Sequence, residues 1–132
     1  MSTQEVIGRF FEHLASGDPE RVATVFADDI DWYVPGSDEL PWTGRRTKGT
    51  EVVQYLRDLW AHIVVEDNVD DVEQVVFDGP DAVVLGSFFR RVRSTGRTFT
   101  MPVAMHLRVD GDKIVRMHLF EDTLLAQQAF KG

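Results

Sequence analysis

MPVAMHLRVDGDKIVRMHLFED, residues Met101–Asp122, alternates apolar and polar side chains on both sides of an Asp110-Gly111-Asp112 turn. Met101, Val103, Met105, Leu107 and Val109 recur at every second position before the turn, and Val115, Met117 and Leu119 do so after it. Successive side chains of a strand point to opposite faces, so these residues share one apolar surface of an antiparallel hairpin. Such a face either meets a core or lines an apolar pocket. Pairing straight across the turn sets Val109 opposite Lys113, Met105 opposite Met117, Val103 opposite Leu119 and Met101 opposite Glu121.

Outward from the hairpin, the chain divides into a helical first half and a strand-rich second half. Ser2 with Glu5 fits a capping box, and Val6, Ile7, Phe10, Phe11 and Leu14 follow at helical spacing until Ser16-Gly17. Asp18-Pro19 reads as an N-cap with proline at the first helical position, opening a short helix through Phe26. Asp29–Val34 alternates as a strand, with Ile30, Trp32 and Val34 on one side, and a loop over Pro35–Lys48 follows. Thr50 is expected to cap a third helix carrying Val53, Leu56, Trp60 and Ile63 on one face. Strands are expected at Val69–Phe77, Ala82–Arg93, Thr98–Val109 and Lys113–Phe120, then a last helix over Thr123–Phe130. Helices first and a meander of antiparallel strands afterwards is an α+β pattern. A curved sheet around the helices, leaving a cone-shaped cavity, is the expected arrangement.

Composition narrows the functional classes. With 132 residues the chain suits one domain, spanning 1–132, large enough for a hydrophobic core. A net charge of −8 argues against nucleic acid as partner, because phosphate binding needs a basic surface. The apolar runs fall far short of a membrane span. MSTQEVIGRF lacks the charged and apolar regions of a signal peptide, so a cytoplasmic location is expected. There is no cysteine, which removes disulfides and thiolate chemistry. The acids gather at Asp28, Asp29 and Asp31 and again at Glu66, Asp67, Asp70, Asp71 and Glu73. Arg90, Arg91, Arg93 and Arg97 surround a turn. They read as solvated strand ends and cross-strand ion pairs, with an anion site for a carboxylated or phosphorylated ligand as the alternative.

The runs VFADDIDWYVP (Val25–Pro35), LPWTGRRTKGTEVV (Leu40–Val53) and GDKIVRMHLFEDT (Gly111–Thr123) resemble the SnoaL-like, ketosteroid isomerase-related branch of the nuclear transport factor 2-like superfamily. The resemblance covers nearly the whole chain and implies a small cone: three N-terminal helices packed in a curved, mostly antiparallel sheet. It also implies a homodimer and a pocket for apolar ligands. It does not fix the activity, since the fold hosts isomerases, cyclases, dehydratases, epoxide hydrolases and non-catalytic binding domains. Ketosteroid isomerases use an aspartate as proton shuttle and a tyrosine with a protonated aspartic acid as oxyanion hole. The resemblance places these at Val34, Phe10 and Met105, where many SnoaL-like proteins carry histidine at the last position. None of the three can donate or accept a proton, so that chemistry is not expected here.

Glu121 is the one ionisable group on the apolar face and the candidate catalytic acid or base, because burial would raise its pKa. The alternative places it at the rim, in water. Tyr33 is a further candidate for such a role. The expected ligand contacts are Phe10, Leu14, Trp32, Val34, Trp42, Tyr55, Leu56, Trp60, Val103, Met105, Met117 and Leu119. Trp60 also reads as plain core, and Phe88 or Phe89 adds to the wall. Indole offers large apolar area and one N–H donor, suited to a flat apolar ligand. His106 and His118 lie on the hairpin's other face, in surface or dimer-interface roles, and no histidines have metal-ligand spacing. The expectation is therefore a binding domain for an apolar small molecule, without metal or cofactor. The alternatives are a SnoaL-like enzyme using Glu121 and a protein-interaction domain whose pocket is only core.

Overall fold

The computed structural model describes residues 1–131, which form four helices and six strands. Helix α1 (Thr3–Ser16) opens with the expected capping box: Ser2 Oγ accepts from Glu5 N at 3.1 Å and Glu5 Oε1 accepts from Ser2 N at 3.4 Å. It buries Val6, Ile7 and Phe10 and stops at Gly17, whose φ of 73° suits a residue without Cβ. Helix α2 (Pro19–Ala23) starts at Asp18, whose carboxylate accepts from Glu20 N at 3.0 Å. It ends three residues earlier than the sequence suggests, because Phe26 already opens strand β1 (Phe26–Val34).

Strand β2 (Gly44–Lys48) lies inside the segment expected to be a loop and pairs antiparallel with β1. Its GRRTK sequence has no apolar alternation, so pairing and not burial makes it a strand. Helix α3 (Glu51–His62) buries Val52, Tyr55 and Leu56, so its inward face is turned by one position from the expected Val53 side. Thr50 makes no side-chain cap; Glu51 reaches back instead, accepting from Thr47 N and Lys48 N. Strands β3 (Val69–Asp78), β4 (Asp81–Arg91), β5 (Thr98–Asp110) and β6 (Lys113–Glu121) follow, then helix α4 (Thr123–Lys131). The mixed sheet is open and curved, in the order β2-β1-β6-β5-β4-β3, with β1 and β6 parallel and the other pairs antiparallel.

The hairpin register differs from straight pairing. Asp110 sits opposite Lys113, and β6 bulges beside Val109. Leu107 therefore faces Met117, Met105 faces Leu119 and Val103 faces Glu121. The slip is two residues, which keeps every later side chain on its expected face. The bulge has one visible consequence: Ile114 is fully buried where Val115 was expected, and Val115 is only partly covered. Phe99, Met101, Val103, Met105, Leu107 and Val109 of β5 are all buried against the helices. Each such side chain contributes about 1.5–3 kcal/mol relative to exposure. Among the described residues, no helix is long and apolar enough to cross a membrane.

Candidate functional site

A cavity of about 400 Å³ opens between α1, α2 and α3 on one side and the concave sheet face on the other. Amphipathic α1 supplies Phe10, Leu14 and Ala15, and α3 supplies Tyr55, Leu56, Leu59 and Trp60. The sheet supplies Trp32, Phe88, Met105, Met117 and Leu119. Their order follows the pleat: Trp32 pairs with Met117 across β1 and β6, and Met105 pairs with Leu119 across β5 and β6. Trp32 packs edge to face on Tyr55 at 4.6 Å, and behind it Phe26 meets Trp32 in a tilted contact at 5.5 Å.

One side of this cavity is polar. Arg90, Asp70 and Asn68 line it with the apolar residues. Arg90 stands on the inward side of β4, two residues beyond Phe88, and is 8% exposed. Its Nη1 lies 2.7 Å from Asp70 Oδ1 and donates to Phe89 O at 3.0 Å, while its guanidinium stacks on the Phe88 ring at 4.5 Å. Nε and Nη2 make no hydrogen bond among the described residues. Trp32 Nε1 and Asn68 Oδ1 are buried without hydrogen-bond partners among those residues. Tyr55 is enclosed and keeps its phenol proton: burial raises its pKa, with the Glu121 charge adding to that.

A second space of about 30 Å³, enough for one water, lies behind Tyr55, Leu59, Phe88, Arg90 and Leu119, which line both cavities. Glu121 faces it. Trp42 Nε1–H donates to Glu121 Oε1 at 3.0 Å. The loop before β2 holds that indole in place: the Thr43 hydroxyl donates to Ser37 O at 2.7 Å, and Leu40 and Trp42 are both buried. Burial pushes the Glu121 carboxyl up to about 7, against the lowering effects of the Trp42 hydrogen bond and the Arg90 charge. Glu121 is partly buried, and it lines this small space and not the main cavity.

Of the expected contacts, Phe10, Leu14, Trp32, Tyr55, Leu56, Trp60, Met105, Met117 and Leu119 are brought together at the main cavity. Trp42 faces the small space beside Glu121. Val34 and Val103 line neither cavity; both are packed into the core, Val34 beneath the Pro35–Gly44 loop. Phe88 faces inward, which decides between it and Phe89. Tyr33 is on the outer face of β1, with Arg45 4.1 Å over its ring and His118 against its edge. On the same outer face His118 Nε2 meets Asp31 at 2.9 Å and His106 Nε2 meets Asp81 at 2.8 Å. Asn68 carries no signal in the sequence, and Asp70 and Arg90 read there only as members of charged clusters, solvated or with an anion site as the alternative, and not as cavity wall.

The profile of the SnoaL-like domain family matches residues 7–117. A nuclear transport factor 2-like protein from Burkholderia thailandensis superposes with a TM-score of 0.88 at 24% identity, over 100% of this chain and 99% of its own. Another, from Burkholderia pseudomallei, does so with a TM-score of 0.89 at 21% identity, over the whole of both chains. TerC, co-crystallised with polyporic acid, gives a TM-score of 0.86 at 17% identity over 98% of each chain. No curated protein sequence matches. At these identities the solved structures establish the fold, and the profile, spanning most of the chain, establishes the family: the protein belongs to the SnoaL-like domain family, on the nuclear transport factor 2-like fold.

Proposed function

We propose that this SnoaL-like domain encloses a mostly apolar small molecule in the main cavity. The observation that carries the reading is the cavity itself, about 400 Å³ walled by five aromatic side chains and two methionines among other apolar side chains. Pockets for small molecules start at about 300 Å³, so this space is more than a packing defect and works against a core that only supports a protein interface. Co-crystallisation of TerC, of the same fold, with polyporic acid supports the same reading. Ketosteroid-type isomerisation is not part of it. Phe10 and Met105 line the cavity and Val34 lies in the core, and none carries a proton-transferring group. The test is a titration with the neutral fluorescent probe N-phenyl-1-naphthylamine. Saturable binding, lost when Met105→Trp fills the space in a folded variant, is expected; absence of saturable binding overturns the reading.

A second reading, a SnoaL-like enzyme of the cyclase, isomerase, dehydratase or epoxide hydrolase type, has its own observation. Glu121 combines a carboxyl near 7 with room for one water, and that space shares Arg90 and Tyr55 with the main cavity. Proton transfer to a ligand would then run through water, since Glu121 does not line the main cavity. Turnover of a candidate substrate by the wild type and equally by Glu121→Gln would remove this role. Self-association belongs to the proposal as well. Its candidate surface is the outer sheet face with His106, His118 and the half-exposed Phe120, and sedimentation velocity decides it.

A further inference from the structure

The main cavity holds a buried cation whose neutralisation is incomplete. Asp70 engages Arg90 through one oxygen on Nη1, and its side chain is 38% exposed, so solvent weakens its share of the pairing. Nη1 is further occupied by Phe89 O, and the Phe88 ring covers the guanidinium on one side. The remaining donors, Nε and Nη2, form one edge of the guanidinium fork. They have no hydrogen-bond partner among the described residues, and Arg90 lines both cavities. A guanidinium edge of this kind matches two oxygens of a planar anion, and in a dry site such a bond is worth more than in water. Phe88, already stacked on Arg90, extends an apolar surface from that edge into the aromatic cavity.

We propose that the ligand of the main cavity is an aromatic or similarly flat apolar acid, whose carboxylate is received by the Nε/Nη2 edge of Arg90. This inference rests on the reading of the cavity as a binding site and adds the chemical class of what it holds. Asp70 is the counter-ion that keeps Arg90 tolerable when the cavity is empty. It stands opposite the ligand's oxygen in the competition for the guanidinium.

The test uses two competitors of nearly equal shape, 2-naphthoic acid and 2-naphthamide, against bound N-phenyl-1-naphthylamine at neutral pH. Naphthoate is expected to displace the probe about tenfold better than naphthamide, the ratio a single charge-assisted bond supplies. In Arg90→Gln the ratio should fall to about one while the neutral probe still binds. In Asp70→Asn, which keeps the arginine and removes its counter-ion, naphthoate should bind several-fold tighter than in wild type. If the probe binds and the wild-type ratio is one or less, the anion inference fails and the apolar-cavity reading stands. If the probe does not bind at all, that reading fails and takes the inference with it. Should Arg90→Gln not fold, the wild-type ratio and the Asp70→Asn shift each suffice to overturn the proposal.

Discussion

Replacing Glu121 by glutamine is expected to stabilise the protein at alkaline pH and leave it unchanged in acid. In the folded chain the Glu121 carboxyl is pushed from its ordinary 4.5 up to about 7 by burial under Trp42, with Arg90 as the neighbouring charge. The unfolded chain ionises this group at its ordinary value, so between the two values folding must take up a proton. A raised carboxyl favours the fold fully below the ordinary value, and the benefit is lost as pH rises through about 7. At about 1.4 kcal/mol per pH unit, the interval from 4.5 to about 7 corresponds to about 3 kcal/mol. Glu121→Gln retains an oxygen to accept from Trp42 Nε1 and nearly the same volume, but carries no proton equilibrium. The urea-unfolding free energy of Glu121→Gln minus that of wild type should therefore be near zero at about pH 4. It should climb through neutrality and level off at about 3 kcal/mol near pH 8.5. Other carboxylates cancel in the difference. A difference that stays flat from acid to alkali, or one that falls with pH, would refute the claim that this carboxyl is buried and strained when charged.

Trp42→Phe removes the N–H that favours the ionised carboxylate, so Glu121 should titrate higher than in wild type; carbon NMR of the carboxyl reads the direction. Gly86→Ala would place a Cβ 2.0 Å from Asp71 O, against backbone at the β3 bulge, and should cost about 1–3 kcal/mol in thermal or urea unfolding. Naphthoate affinity should weaken several-fold from about pH 6 to pH 8.5 as Glu121 ionises near Arg90, and stay constant in Glu121→Gln. Asp81, held at about 2 by hydrogen bonds from Arg108 and His106, lends stability above its ordinary value that is lost as pH falls through about 2. His106→Ala should move that carboxyl upward in an NMR titration.

Burial patterning made the sheet and α1 readable from sequence, because a period of two or of 3.6 leaves little choice where one face meets a core. The parity of the hairpin survived even the wrong register. A two-residue slip conserves faces, so Glu121 points to the inner side in either register, although its partner is Val103 and not the Met101 of straight pairing. What was not readable was decided by contacts distant in sequence. β2 has no apolar alternation and owes its form to hydrogen bonds from β1. The α2 end and the β6 bulge are compromises between neighbouring strands, with no local signal at Ala23 or Val115. Val34 and Val103 share the parity of the cavity wall but lie where the sheet is covered by loop and helix, and parity carries no information on depth. Arg90 shows the same gap from the other side. Composition places an arginine in a charged run on the surface, whereas β4's pleat turns it inward onto Phe88.

The two titratable features of the interior sit against each other, and this constrains which chemistry the fold can support. Arg90 borders both spaces and lowers the pKa that burial raises at Glu121. Near neutrality Glu121 is balanced between its two forms. When protonated it leaves the guanidinium's free edge to a ligand; when ionised it offers the same cation a second carboxylate besides Asp70. An acidic ligand and the Glu121 charge therefore oppose one another, and by linkage each disfavours the other to the same degree. A bound anion would hold Glu121 protonated beside the one-water space, which is the state a general acid needs and a general base cannot use. If the site is catalytic, the geometry thus favours proton donation to an anionic ligand over proton abstraction from it. Val34, where the sequence resemblance would set the shuttle aspartate of a ketosteroid isomerase, is packed in the core and lines neither cavity.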